Sequence, residues 1–219
     1  MLLHADFSQR VVLDTNTLAW VPSPESGVER RLMERDGAEV ARATSIVRYA
    51  PGSRYSRHGH DGGEEILVLE GTLADEHGNY PAGTYLRNPP GSAHAPYSET
   101  GCTLLVKLRH LPPTEGTRIV KDIRDGDWQG PPDAVRRLTL FADDANGQSV
   151  YVARFAPGAR VPHHLHDGGE ELFVLEGDLH DEHGDYKAGS WVRQPDGSHH
   201  SPYSDGGALV LVRRGHLPQ

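Results

Sequence analysis

The sequence predicts an all-β chain built of two tandem units, each a sandwich or barrel. Three observations carry that expectation. The chain repeats itself at a single long offset. Glycine (25) and proline (16) are abundant while methionine (2) is scarce, which favours many turns and short strands. Turn signals recur every ~8–12 residues, the spacing of a sandwich or barrel.

The repeat comes first, because a missed repeat misreads the whole fold. At an offset of 106, Ile46–Pro112 aligns without a gap on Val152–Pro218, with 38 of 67 positions identical. Ala50-Pro51-Gly52 meets Ala156-Pro157-Gly158, and Val68-Leu69-Glu70-Gly71 meets Val174-Leu175-Glu176-Gly177. Asp75-Glu76-His77-Gly78 meets Asp181-Glu182-His183-Gly184. Upstream, Arg30-Arg31-Leu32 matches Arg136-Arg137-Leu138 at 106, and Val11, Val12, Asp14 and Trp20 match Ile119, Val120, Asp122 and Trp128 at 108. A two-residue loop difference accounts for the change. The expected division is residues 1–112 and 117–219, joined by a short Pro/Gly linker at 113–116.

Within each unit the elements follow in order. Ala43–Tyr49 and Ser149–Phe155 have strand composition and end at an Ala-Pro-Gly turn. Ile66–Leu69 and Leu172–Leu175 are continuous apolar runs suited to the inside of a sandwich. Glu76–Tyr80 carries hairpin-turn chemistry, followed by the Pro81-Ala82-Gly83 turn, a strand at Thr84–Asn88, the Pro89–Ser92 turn and a strand at Leu104–Leu108. Pro22–Leu32 has room for one helical turn.

Composition narrows the function classes. The formal charge is −9 and no basic block interrupts it, so the electrostatic footprint of a nucleic-acid binder is missing. A single cysteine, Cys102, allows no intrachain disulfide and no cysteine-based zinc motif; it reads as a small buried residue in a strand. The first residues lack a signal-peptide layout, and the longest apolar runs, such as Ala208–Val212, fall far short of the ~20 residues that span a bilayer. The expectation is a soluble cytoplasmic protein that binds neither nucleic acid nor membrane.

The chemistry is concentrated in HGHDGGEE (58–65) and HLHDGGEE (164–171). On a strand, residues i and i+2 share a face roughly 6.5–7 Å apart, so His58 and His60 can converge on one ion. The Asp61-Gly62-Gly63 turn brings Glu64 back beside them, and His94 follows a turn that can aim a strand across the same cavity. The second unit repeats the set as His164, His166, Glu170 and His200. Three imidazoles and a carboxylate suit a divalent transition metal, one per unit and two per chain. Zinc or iron leads the expectation, with manganese, nickel and copper also open. Glu65 and Glu171 fall on the opposite strand face and read as supporting or surface carboxylates. Arg87 and Arg193 could bind an oxyanion or pair with Asp75 and Asp181; Tyr97 and Tyr203 could line the mouth or simply pack. His77 and His183 read as turn residues, His110 and His216 as structural. His163 and His199 adjoin the ligand histidines with opposite parity.

These motifs resemble those of the cupin superfamily, G(x)5HxH(x)3–4E(x)6G and G(x)5PxG(x)2H(x)3N. Gly52, His58, His60, Glu64 and Gly71 fit the first, and Gly83, Pro89, Gly91 and His94 the second, with Ser98 where the family has Asn. The second unit fits equally, from Gly158 and Gly177 to Gly189, Pro195, Gly197 and His200, again with a serine, Ser204. The resemblance covers nearly the whole chain and is strongest to the ChrR-type cupin domain of zinc-dependent anti-sigma factors. It implies two double-stranded β-helix (jelly-roll) barrels and the metal sets named above. Two roles follow from it. One is metal-dependent small-molecule chemistry, such as dioxygenase cleavage of dicarbonyl or hydroxyketone compounds, with acetylacetone and dihydroxyacetophenone dioxygenases as family precedents. The other is a zinc-binding sensor without catalysis. Direct binding of a sigma factor is not expected, because residues 1–40 align with the start of the second unit rather than forming the helical, cysteine-bearing domain of those proteins. Homodimerisation is left open.

Overall fold

The computed structural model describes residues 1–38 and 40–218. The chain forms two compact units, one of Met1–Ala5 with Leu18–Asp125 and one of Asp6–Thr17 with Gly126–Gln219. These units divide the chain differently from the sequence repeat, because each takes one strand from the other half.

In the first unit the main sheet runs Leu2–Leu3, Val28–Gly37, Ala41–Tyr49, Cys102–Leu108, Glu64–Asp75, Thr84–Asn88, Ile119–Asp122, with antiparallel pairing throughout. In the second the order is Val135–Asp143, Gln148–Phe155, Ala208–Arg214, Glu170–Asp181, Ser190–Gln194, Val11–Asp14. The edge strand Ile119–Asp122 therefore closes the first unit, and Val11–Asp14 closes the second. In each unit a short ladder faces the main sheet: His58–His60 with Ser92–His94, and His164–Leu165 with His199–His200. The strands at Thr84–Asn88, Ala41–Tyr49 and Cys102–Leu108 lie where composition puts them. The helical turn expected within Pro22–Leu32 is absent: Val21–Pro22 and Val28–Gly37 are paired strands, and a 3-10 turn sits at Thr15–Thr17 instead. Ladder bonds to Ala41–Tyr49 outweigh the weak helical preference of this segment.

Each core is made of the inward faces of these strands. In the first unit Val28, Tyr49, Ile66, Val68, Leu73, Leu86, Leu104 and Val106 pack together; in the second, Phe155, Leu172, Val174, Leu179, Val192, Val210 and Val212 do so. No described helix is long and apolar enough to cross a membrane.

Candidate metal centres

The turn at Asp61–Gly63 is where local backbone chemistry builds the first centre. Gly63 takes φ +72° and donates its N–H to the His60 carbonyl, a conformation open chiefly to glycine. The chain reverses there and Glu64 opens the next strand beside His60. His94 stands directly opposite His58 in the short ladder. His58, His60, Glu64 and His94 each offer one ligand atom, all within 4.8 Å of one another. His164, His166, Glu170 and His200 do the same in the second unit, with His164 opposite His200.

Most of the rings are oriented from behind. His58 Nδ1 donates to the Ser56 carbonyl (2.9 Å) and His164 Nδ1 to that of Pro162 (3.0 Å). His94 Nδ1 donates to Asp75 Oδ2 (3.2 Å) and His200 Nδ1 to Asp181 Oδ2 (3.0 Å). His166 Nδ1 donates to Ser198 Oγ (2.9 Å), whose own proton goes to the Pro195 carbonyl. Such partners fix the tautomer and turn each Nε2 inward, as the outer partners of metal-bound histidines do.

The inward atoms have nowhere else to go. His60, His94 and His166 Nε2 are buried without a hydrogen-bond partner. They stand 3.4, 3.5 and 3.4 Å from the carboxylate of Glu64 or Glu170, long for a hydrogen bond. Ligands placed ~2.1 Å from a shared ion are themselves separated by roughly 3.0–3.4 Å. The donor set, its burial and its spacing fit a divalent metal ion in both units.

The two centres titrate differently. Burial lowers His60 and His166 to about 4. Burial also raises the Glu64 carboxyl above the ordinary range, against the pull of His94 and Asn88. Glu170 is equally buried, yet His200, whose Nε2 stands 3.2 Å away, with His166 and Arg214 close by, holds it below that range. His200 is lifted to about 9, because Asp181 and Glu170 outweigh its burial.

A relay behind each centre was not foreseen. In the first unit Arg118 Nη2 donates to the Tyr80 hydroxyl (2.7 Å), which donates to Asp75 Oδ1 (2.7 Å), the carboxylate that holds His94. Arg118 Nε also binds Asn88, whose amide donates to Glu64 (3.0 Å). In the second unit Arg10 binds Tyr186, Tyr186 donates to Asp181 (2.6 Å), and Asp181 holds His200. Arg10 and Arg118 flank the exchanged edge strands. The signal was legible: Asp75, Tyr80 and Arg118 each have an identical counterpart in the other copy, the arginines at the offset of 108.

The other predicted site residues lie elsewhere. Glu65 is buried on the opposite face from Glu64, bonded by Tyr85 and Arg87 with His110 Nε2 at 3.2 Å. Arg87 also reaches Glu115 (3.1 Å), whereas Asp75 is taken by His94, Tyr80 and His77. Glu171 has His216 at 3.3 Å and Arg213 at 3.9 Å, and Arg193 binds the Asp6 carbonyl over the Phe7 ring. Tyr97 and Tyr203 stack under Arg54 and Arg160. His163 and His199 meet at 3.1 Å beside Glu182 on the surface, where the first unit has an Arg57–Glu76 ion pair.

The centres differ most in what lies in front of them. The first opens on a cavity of about 270 Å³ lined by Tyr49, Tyr55, Leu104, Val106, Leu108 and Arg30, among others. The space before the second is about 30 Å³, enough for a water or two. Tyr151 and Arg214 occupy the positions of Ser45 and Leu108. Arg214 lies close to the Tyr151 hydroxyl, donates to the Leu165 carbonyl (2.6 Å) and sets its Nε 3.6 Å from Glu170.

Sequence comparison decides the family. The model of the ChrR cupin-like domain matches residues 8–112 and again 116–218. The chain belongs to the ChrR cupin-like family. Each copy of the cupin domain thus carries one four-residue cluster. No functionally curated protein matches the sequence. Among solved structures, cupin architecture recurs at low identity. A Nostoc punctiforme protein assigned provisionally as a dioxygenase aligns at TM-score 0.77 and 19% identity, over 94% of this chain and 82% of that one. YlbA of Escherichia coli aligns at 0.75 and 16%, over 98% and 94%. The bacterial pirin YhhW of Escherichia coli, solved with nickel(II), aligns at 0.70 and 14%, over 96% and 99%. At these identities the likeness is one of fold.

Proposed function

We propose that this bicupin binds one divalent transition metal at each four-residue cluster, and that the first centre performs metal-dependent chemistry on a small molecule. The observation that carries the reading is the buried trio of inward, unbonded Nε2 atoms of His60, His94 and His166 facing a carboxylate. A metal bound there would supply Lewis acidity or, if iron, a site for dioxygen chemistry. The protein's part is positional. Tyr49, Tyr55 and Leu104 line a largely apolar cavity with room for a small substrate, while Asp75 holds His94 in place. Cleavage of a dicarbonyl or hydroxyketone suits such a pocket, and one protein of the same fold is assigned provisionally as a dioxygenase.

A second reading, a zinc centre that senses or stabilises without catalysis, is favoured for the second unit alone. Its front is filled by Tyr151 and Arg214. The experiment is elemental analysis of protein purified without a nickel column, with close to two metal equivalents per chain expected. His60→Ala and His166→Ala should each remove about one; less than ~0.3 equivalents in the unaltered protein would overturn the metal assignment. Oxygen uptake by the Fe(II)-loaded protein with β-dicarbonyls or hydroxyketones should be lost in His60→Ala and kept in His166→Ala. A sensing role alone would give no uptake in either.

A further inference from the structure

The strand Val28–Gly37 faces the first cavity through Val28, Arg30 and, beyond a bulge between Leu32 and Glu34, Arg35. The ladder pairs Arg30 with Val47 and, in the second unit, Arg137 with Ala153. Val47 and Ala153 are equivalent at offset 106, so the structural counterpart of Arg30 is Arg137, one residue off the sequence alignment of the two Arg-Arg-Leu triplets.

These two arginines meet different surroundings. Arg137 lies over the Tyr151 ring, 4.9 Å from its centroid, and Arg214 lies close to the Tyr151 hydroxyl. Arg214 places a built-in cation beside Glu170. The second unit thus satisfies its own cavity with an Arg–Tyr–Arg plug. In the first unit the plug residues are Ser45 and Leu108. Arg30 has no aromatic partner and no ion pair among the described residues, and its Nε is buried without an acceptor. A buried unanswered donor costs ~1–3 kcal/mol, which an occupant bearing an acceptor would remove.

We propose that the first cavity binds a small organic anion, a carboxylate or an enolate, with Arg30 as its charge-pairing residue. The anion lies between the guanidinium and the His58–His60–Glu64–His94 centre. Guanidinium pairs with such planar oxyanions through two parallel hydrogen bonds. Arg35 and Arg109 also line the cavity, but Arg35 is bonded to the Ala38 carbonyl and Arg109 lies 3.6 Å from Asp61. Most of the remaining wall is aromatic and aliphatic, so a compact carbon skeleton with one or two acidic groups describes the ligand. The proposal rests on the reading of the first centre as open to small molecules, but not on the identity of the reaction.

The probe pair is malonate and its uncharged isostere malonamide, titrated calorimetrically into the metal-loaded full-length protein, with metal content measured separately on the same samples. One malonate per chain should bind, and malonamide should bind about tenfold more weakly or worse. Arg30→Gln should weaken malonate by about tenfold or more, Arg137→Gln should leave it unchanged, and the double variant Ser45→Tyr/Leu108→Arg should abolish binding while metal content persists. Absence of malonate binding at millimolar concentration, equal affinity for malonamide, or indifference to Arg30→Gln would overturn the proposal. The malonamide comparison needs no variant, so misfolding cannot rescue it. Should malonate bind through Arg30 in protein whose first centre holds no metal, the metal assignment fails and the anion site stands.

Discussion

Glu64 and Glu65 are neighbours with opposite tasks, because a strand sends successive side chains to opposite faces. Glu64 turns toward His60 and His94; Glu65 turns the other way and neutralises Arg87, which is 2% exposed. The two can be separated by mutation. Glu64→Gln should remove the first metal equivalent with little loss of stability in the metal-free protein. Glu65→Ala should leave the metal in place but cost up to about 3–5 kcal/mol in denaturant unfolding, since it removes the closer and more buried of the two carboxylates that neutralise Arg87. Equal stability loss from both would contradict the assignment. Cys102 is also governed by its face. It is buried in the first core, and burial pushes its thiol up to about 11 despite the nearby Ser98 hydroxyl. A thiol-selective reagent at pH 8 should therefore find it unreactive in the native protein and fully reactive after unfolding.

At the scale of elements, strands and centres were readable and their supports were not. Parity alone brought His58 and His60 together, and Gly62-Gly63 announced the reversal that delivers Glu64. The buried ion pairs of Glu65 and Glu171 escaped because a charged residue in an amphipathic pattern reads as solvated until its partner strand is known. Register is the missing quantity: Thr84–Asn88 sets Arg87 opposite Glu65, which no local pattern encodes. Gly71 and Gly177 show the same limit. Both sit at φ near +70° where a Cβ would meet a carbonyl oxygen at 2.1 and 2.0 Å, so alanine at either should destabilise its own unit. The relays supply a finer test. Arg118→Met should weaken metal binding at the first centre by roughly 10–100-fold and leave the second alone, and Arg10→Met should do the reverse. Competition with a chelator, read on each single-site background, would expose any crossover.

At the scale of the whole molecule, the duplicated sequence foretold two barrels, and the comparisons bear out the family and fold. What repetition could not foretell is which copy of an edge strand closes which sheet, because Val11–Asp14 and Ile119–Asp122 are near-equivalents competing for near-equivalent edges. Fragments cut at the 113–116 junction test the outcome. Residues 1–112 lack the first unit's closing strand, and residues 117–219 lack that of the second. Expressed singly, each should be poorly soluble and weak in metal; expressed together, they should recover both centres. Autonomous folding of either with full metal content would contradict the exchanged pairing.

The exchanged strands have a consequence for how such a chain could have arisen. A polypeptide with one unit that closed its sheet in the same exchanged way would borrow its closing strand, and with it the arginine behind its metal centre, from another copy. Assembly would then be second-order and fail on dilution. Joining two copies end to end makes the loan intramolecular, at an effective concentration that can reach the millimolar range. Once both centres no longer depended on finding an identical partner, their fronts were free to diverge, one filled by tyrosine and arginine and the other left hollow.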